Sequence, residues 1–281
     1  MSRPALAAAT LLVMAAFAAN SVLARLALAG GHADALAFTA VRLAAGAAVL
    51  GALVVARRVR PAGDTASALA LLVYAAAFSV AYLALPTGTG ALVLFGSVQV
   101  TMIGWGVAHG EHLRTSQMLG LILALGGLAV VVAPGVGAPP LGAAALMAVA
   151  GAAWGAYSLR GRSEPDATAA TAGNFLRAAP IAAVLMLAAG EPHADPTGIG
   201  LAVASGALTS GLGYAAWYAV LPRLRATTAS AVQLGVPVLA ALGGVAFASE
   251  ALSLRLAAAS AATLGGIALV ARSRRPAREP N

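Results

Sequence analysis

Apolar residues run almost unbroken through most of this chain. The runs cover about 5–25, 34–56, 66–85, 88–109, 115–133, 140–160, 168–189, 197–221, 226–248 and 253–272. A bilayer core of roughly 30 Å needs about 20 apolar residues in helical form. Polar positions gather between the runs, with proline and glycine marking the breaks: Pro61-Ala62-Gly63, Pro86, Pro134-Gly135, Pro139-Pro140, Pro192 and Pro196. Every link is short, so consecutive helices must run antiparallel. The pattern predicts an all-α integral membrane protein of ten transmembrane helices in one membrane domain over 1–281.

The second half of the pattern repeats the first. At an offset of 139, Gly235 falls on Gly96, Gly243 on Gly104, Glu250 on Glu111, and Gly265-Gly266 on Gly126-Gly127. With small shifts, Arg177 falls on Arg42, Trp154-Gly-Ala-Tyr-Ser158 on Phe17-Ala-Ala-Asn-Ser21, and Tyr218-Ala-Val-Leu-Pro222 on Tyr82-Leu-Ala-Leu-Pro86. The expected divisions are 1–135 for one five-helix repeat, 136–272 for the other, and 273–281 as a tail. Five is odd, so the second repeat is inverted relative to the first. Inverted repeats place a binding site between the halves and supply a means of opening it to each side in turn.

Charge sets the orientation. All 17 basic residues are arginine. Arg3, Arg57, Arg58, Arg60, Arg114, Arg160, Arg162, Arg223, Arg225 and the four arginines from 272 to 278 fall on one side of the predicted topology, against Arg25 and Arg255 on the other. Positive residues collect on the cytoplasmic side, so both termini are expected there. The net charge of +8 is thereby accounted for at span ends, and nucleic acid is not expected as a partner. The run from Ala5 to Ala24 is long for the core of a cleaved signal. Richness in Ala, Gly and Arg points to a GC-rich bacterial genome, hence to a bacterial inner membrane. Cysteine is absent, which excludes disulfides and thiolate metal sites.

Candidate solute-binding residues lie on facing helices. Tyr74, Phe78 and Tyr82 are four apart on the third helix and share one face. Ser210, Tyr214 and Tyr218 occupy the matched positions of the eighth, with Trp217 beside them. The first helix of each half adds Phe17, Asn20 and Ser21, or Trp154, Tyr157 and Ser158. The fourth adds Phe95, Gln99 and Met102, and the ninth Gln233 and Pro237. Amides facing lipid are costly, so Asn20, Gln99 and Gln233 should face protein or water; they could bind a solute or bond neighbouring helices. Tyr82 and Tyr218 sit near span ends, where aromatic anchoring competes with a cavity role. Arg42 and Arg177 lie within spans, and a structural role is expected for both. Glu111 and Glu250 precede the fifth and tenth helices, where they are expected to cap those helices against the dipole. The glycine pairs are expected to serve close helix packing, and Pro237 to bend the ninth helix.

The paired five-helix halves, the in-span arginine of each second helix, the Gly110-Glu111 and Ser249-Glu250 endings and the Gly235-Val236-Pro237 segment resemble the EamA family of the drug/metabolite transporter superfamily. The resemblance runs through residue 272 and departs at Val98, which stands opposite Pro237. It implies an inner-membrane transporter of ten helices, often an exporter of amino acids or other metabolites; bacterial aromatic amino-acid exporters of that superfamily are the nearest specific comparison. With the aromatic faces, this makes the expected solute an amino acid with an apolar or aromatic side chain. A nucleoside or a drug-like cation is an alternative. So is a membrane enzyme, for which His109-Gly-Glu-His112 is the one candidate metal cluster; no third matched histidine supports it. No nucleotide-binding motif, cofactor site or metal site is expected. No Asp or Glu lies deep in a span, so facilitated diffusion or exchange is expected rather than proton coupling. The expected partners are a small solute and the lipid bilayer; the oligomeric state is not legible, and a monomer is compatible with the sequence.

Overall fold

The computed structural model describes residues 2–110, 112–135, 138–162, 164–224, 232–233 and 235–272. They form ten apolar helices: α1 (Arg3–Ala29), α2 (Ala35–Ala56), α3 (Thr65–Tyr82), α4 (Thr87–Ala108), α5 (Thr115–Val132), α6 (Leu141–Gly161), α7 (Ala167–Ala188), α8 (Pro196–Val220), α9 (Val236–Phe247) and α10 (Leu254–Arg272). Eight are long and apolar enough to cross a membrane, and α9 and α10 are shorter. The described part of α9 rises only about 18 Å at 1.5 Å per residue; residues 225–231 and 234, which the predicted ninth span includes, lie outside the described residues, as does the predicted tail. Pro237 stands in the first turn of α9, two residues after a turn at Gly235 that follows helical residues 232–233. Its missing N–H is harmless there. The proline inside a helix is Pro180 of α7.

Four aspartates are the only ones in the chain, and each begins a helix. Asp34 accepts from Leu36 N and Ala37 N, Asp64 from Ser67 N, Asp166 from Ala169 N, and Asp195 from Gly198 N. Such caps satisfy amides that have no partner within the helix and contribute about 1 kcal/mol each. They fall on α2 and α3 of one half and on α7 and α8 of the other, the same places in both.

The packing repeats under exchange of the halves. The pairs α2–α7, α4–α9 and α5–α10 each join equivalent helices, while α3–α6 is matched by α8–α1, α4–α6 by α9–α1, and α2–α8 by α7–α3. Only a pseudo-two-fold relation between inverted five-helix sets produces that pattern. Large apolar side chains cover the outside: Leu12, Val55, Ile122, Leu141 and Leu187 are exposed, while Phe38, Leu50, Leu71, Phe78 and Phe175 are buried between helices. Helices apolar on all sides belong in a bilayer.

Of the glycine pairs expected to pack, one member of each does. A Cβ on Gly127 would meet Thr263 and Ala259 of α10, and one on Gly266 would meet Gly120 and Ala124 of α5, whereas Gly126 and Gly265 face open space. Small residues there let α5 and α10 backbones touch.

The same aspartates clasp the halves together at both ends of the bundle. At one end, Arg57 Nη2 lies 2.8 Å from Asp166 Oδ2 and Arg160 Nη2 lies 2.8 Å from Asp64 Oδ1. There Arg177 donates to Ala62 O, in the link before α3, at 2.7 Å. At the other end, Asp34 accepts from His193 N at 2.7 Å and His32 Nδ1 lies 2.8 Å from Asp195. Ser67 bonds, with Arg160 behind them, hold the Asp64 carboxyl down from the usual 3.8 to about 2. The amide of Ala169, with Arg57 next, lowers Asp166, and His32, with the Gly198 amide, lowers Asp195. A carboxyl depressed by folding adds stability above its unfolded value and loses it as pH falls through the folded one. Stability should therefore decline between pH 3.8 and about 2, and Asp64→Asn should flatten that part of the acid limb in an unfolding titration. Exposure of the Arg160–Asp64 pair keeps the effect below about 1 kcal/mol. An acid limb identical in Asp64→Asn would show that the carboxylate contributes nothing there.

Candidate functional site

Between the halves α1, α3, α4, α6 and α8 leave a small cavity. Its aromatic wall is Phe17, Tyr74, Phe95, Trp154 and Tyr214; Asn20, Ser21 and Thr209 supply polar groups, and Leu94 closes one side. The rings hold one another. Trp154 lies 5.0 Å from Tyr74, 4.9 Å from Tyr214 and 5.4 Å from Tyr157, and Phe17 meets Tyr214 edge-on at 5.9 Å and Trp217 at 6.1 Å. Such pairs each contribute about 0.5–1.5 kcal/mol beyond their burial. The free space is about 20 Å3, roughly one water. A solute of amino-acid size fits only when the helices part.

Asn20 organises the polar side. Its Oδ1 accepts from Ser205 Oγ at 2.7 Å and stands 3.1 Å from Thr209 Oγ1, while its Nδ2 donates to Tyr74 OH at 3.4 Å. Ser205 and Thr209 belong to a π-helical stretch of α8, Ser205–Leu212. A π turn closes at i+5, so Ser210 returns beneath Ser205 while Thr209 stays beside it. All three hydroxyls thereby reach α1 and α2 from one side of α8.

Ser210 and Tyr74 meet Arg42. This guanidinium is 1% exposed. Its Nε donates to Ser210 Oγ at 3.3 Å and its Nη2 to Tyr74 OH at 3.0 Å, and it lies over the rings of Phe78 and Tyr74 at 4.9 and 5.2 Å. Ring faces offset part of the cost of burying a cation. Arg177, its counterpart in the repeat, is instead an exposed bond to a loop carbonyl. The equivalence of the two arginines therefore fails. Burial separates them: Arg42 sits at the α2–α8 contact, Arg177 at a bundle end.

The expected residues divide three ways. Phe17, Asn20, Tyr74, Phe95, Trp154 and Tyr214 line the cavity. Phe78 and Tyr157 stand behind that wall, Tyr157 accepting from Asn174 Nδ2 at 3.4 Å and lying 3.3 Å from Thr171 Oγ1. Tyr82, Tyr218, Gln99 and Gln233 lie off the cavity: Tyr82 OH donates to Thr87 O at 3.3 Å, and the two glutamines are half-buried. Ser205, Thr209 and the involvement of Arg42 escape a reading by helical spacing, because the π turn leaves no period in the sequence.

Glu250 does not cap α10. Its carboxylate reaches α4 instead, accepting from Thr87 N at 2.8 and 3.0 Å, and pairs with Arg25 of α1 at 3.0 Å. The α4 N-cap, Pro86, has no side chain able to cap, so an acceptor from a distant link takes its place. Glu111 of the His109–His112 cluster lies outside the described residues, and His109 Nδ1 lies 2.9 Å from Trp105 O of its own helix.

The cavity offers rings, one amide and hydroxyls, with the Arg42 guanidinium behind Tyr74. Residues 141–272, from α6 through α10, match the model of the EamA-like transporter family. A protein of Pseudomonas aeruginosa (strain PAO1), described as uncharacterized protein PA1977, is 53% identical over 277 residues, covering 96% of each chain. A solved structure titled only as the crystal structure of a protein matches with a TM-score of 0.68 at 24% identity, over 94% of this chain and 98% of that one, and has the same fold. The ten-helix membrane fold and the family match lead to one conclusion: the chain belongs to the EamA-like transporter family, whose members carry small solutes across membranes.

Proposed function

We propose that this transporter exports amino acids with apolar or aromatic side chains across the bacterial inner membrane by alternating access, with both termini cytoplasmic. The halves 1–135 and 136–272 move against each other, and the lining residues Phe17, Asn20, Tyr74, Phe95, Trp154 and Tyr214 hold the solute. The single observation behind this reading is the aromatic and amide cavity at the junction of the halves, with ion-pair clasps at opposite ends of it. Aromatic rings accept an apolar side chain, and neutral polar groups satisfy a backbone-like head. Opening one set of clasps at a time exposes the cavity to one face at a time. Movement down a solute gradient, or exchange, needs no acid in the cavity, and its walls carry none.

Flux of radiolabelled L-phenylalanine and L-leucine from liposomes tests the proposal. Trp154→Ala and Tyr214→Ala each remove ring contacts at the cavity and should lower flux about tenfold, through weaker binding, with insertion intact. Unchanged flux in both variants would remove the cavity from the solute path. A chemically altered product would favour an enzyme.

A further inference from the structure

We propose that Arg42 receives the anionic group of the carried solute, so that the protein selects carboxylates, zwitterions included, and rejects cations. The inference rests on the reading of the cavity as the solute path and names the charge class it takes.

Arg42 Nη1 is buried and has no hydrogen-bond partner. The groups that face the guanidinium are neutral hydroxyls, those of Ser210, Tyr74 and Tyr214. The carboxylates among the described residues stand in the links and helix caps, at the ends of the bundle. A guanidinium carries five donors and a fixed charge, and its best complement is a carboxylate held in two-point fashion. At membrane depth an uncompensated charge is costly and marks a functional site. Arg177 shows what a structural arginine does here: it reaches a loop carbonyl at the bundle end. Arg255 also leaves Nη1 without a partner, but beside the loop carbonyls of Ala133 and Pro134, away from the cavity.

The groups between Arg42 and the cavity have the same polarity. Tyr74 oxygen already accepts from Arg42 Nη2 and Asn20 Nδ2, and its hydroxyl meets that of Tyr214, the two residues sharing the cavity wall. Asn20 Oδ1, the acceptor a cation would use, is taken by Ser205 and faced by Thr209. The amide oxygen of Asn20 is thus taken, while Arg42 keeps a donor without a partner. A cation on the aromatic wall would also face the like charge of Arg42, which occupies ring faces of Tyr74 and Phe78. Any widening of the cavity that admits a solute past Tyr74 brings an anionic group towards Nη1.

The test is calorimetric binding to the purified full-length protein in nanodiscs. The aromatic probes are L-phenylalanine, phenylacetate and phenylalaninamide; the aliphatic ones are L-leucine, isovalerate and leucinamide. Carboxylates should bind about 10- to 100-fold more tightly than the amides. Arg42→Gln should bring that ratio near one while leaving the unfolding midpoint unchanged or raised, since a buried uncompensated charge is removed. Arg42→Lys should keep the preference at reduced affinity. Amides that bind as well as acids, a preference that survives Arg42→Gln, or no binding by any carboxylate overturns the inference. Should Arg42→Gln not fold, the wild-type ratio and Arg42→Lys still decide it: loss of the preference in a folded Arg42→Lys protein counts against a charge role. Aromatic probes that bind regardless of their carboxylate would leave the proposed function standing and this inference refuted. Arg42-dependent binding of phenylacetate and isovalerate, with none of L-phenylalanine or L-leucine, would do the reverse: carboxylate recognition would stand and the amino-acid reading would fall.

Discussion

Gly206→Leu is expected to abolish flux and to lower stability by about 3 kcal/mol or more, the upper range for overpacking a tight contact. Gly206 lies in the π-helical stretch of α8, where that helix crosses α2. A Cβ there would fall against the carbonyl oxygen of Arg42, 2.8 Å from the carbonyl carbon and 2.9 Å from Ala45 Cβ. Backbone cannot yield as a flexible side chain can, so α8 must move off α2. The displacement would take Ser210 from Arg42, and Ser205 and Thr209 from Asn20, leaving buried donors and acceptors unmatched. Gly200→Ala on the same helix is the control, because a Cβ there meets nothing within 4 Å. It should be neutral or stabilise by up to about 1 kcal/mol through helix propensity. Unfolding midpoints in detergent and flux in liposomes read both variants. Wild-type values for Gly206→Leu would show that α2 and α8 do not need this close approach.

Glu250→Ala should cost about 2–3 kcal/mol and loosen one end of the bundle. One carboxylate there caps α4 at Thr87 and holds Arg25, whose Nη1 donates onward to Tyr82 O at 3.1 Å and Leu83 O at 3.3 Å. The Arg25 and Glu250 side chains are 21% and 15% exposed, so solvent screens the pair only partly. Loss of a cap contributes about 1 kcal/mol, and a half-buried cation left without its partner contributes the rest. Two helices, α1 and α4, and the α9–α10 link are joined through this one group. Its removal should shift the halves towards opening at that end. Because the chain has no cysteine, a Leu83→Cys reporter gives a single labelling site, and its modification should quicken in the Glu250→Ala background. Glu250→Gln should fall between, since it still accepts from Thr87 N. Equal labelling rates in all three backgrounds would show that Glu250 does not hold this end closed.

Some of the site was legible before any coordinates. Asn20 had to be inside because an amide facing lipid is expensive, and Phe17, Trp154 and Tyr214 share matched helices. Other assignments fell short for reasons of reach. Tyr82 and Tyr218 carry the right residue type at the right spacing but sit towards helix ends, beyond the cavity. Phe78 is one helical turn from Tyr74, yet the cavity stops at Tyr74 and Phe78 supports Arg42 from behind. The repeat placed Arg42 opposite Arg177, but a repeat compares neighbours along the chain and says nothing about packing across it.

What the sequence determined by itself is the local and periodic part: ten apolar helices, their alternating direction, the inverted duplication, and the inward place of its amides. Those follow from bilayer thickness, short links and the cost of wet groups in hydrocarbon. Only tertiary structure decided which polar groups meet. Arg42 finds Ser210 and Glu250 finds Thr87 at separations of 168 and 163 residues, and the π turn that brings Ser205, Thr209 and Ser210 together on one side has no signature in residue spacing. Such pairings depend on how close two backbones come, and that is set at glycines such as Gly206 by contacts across the bundle.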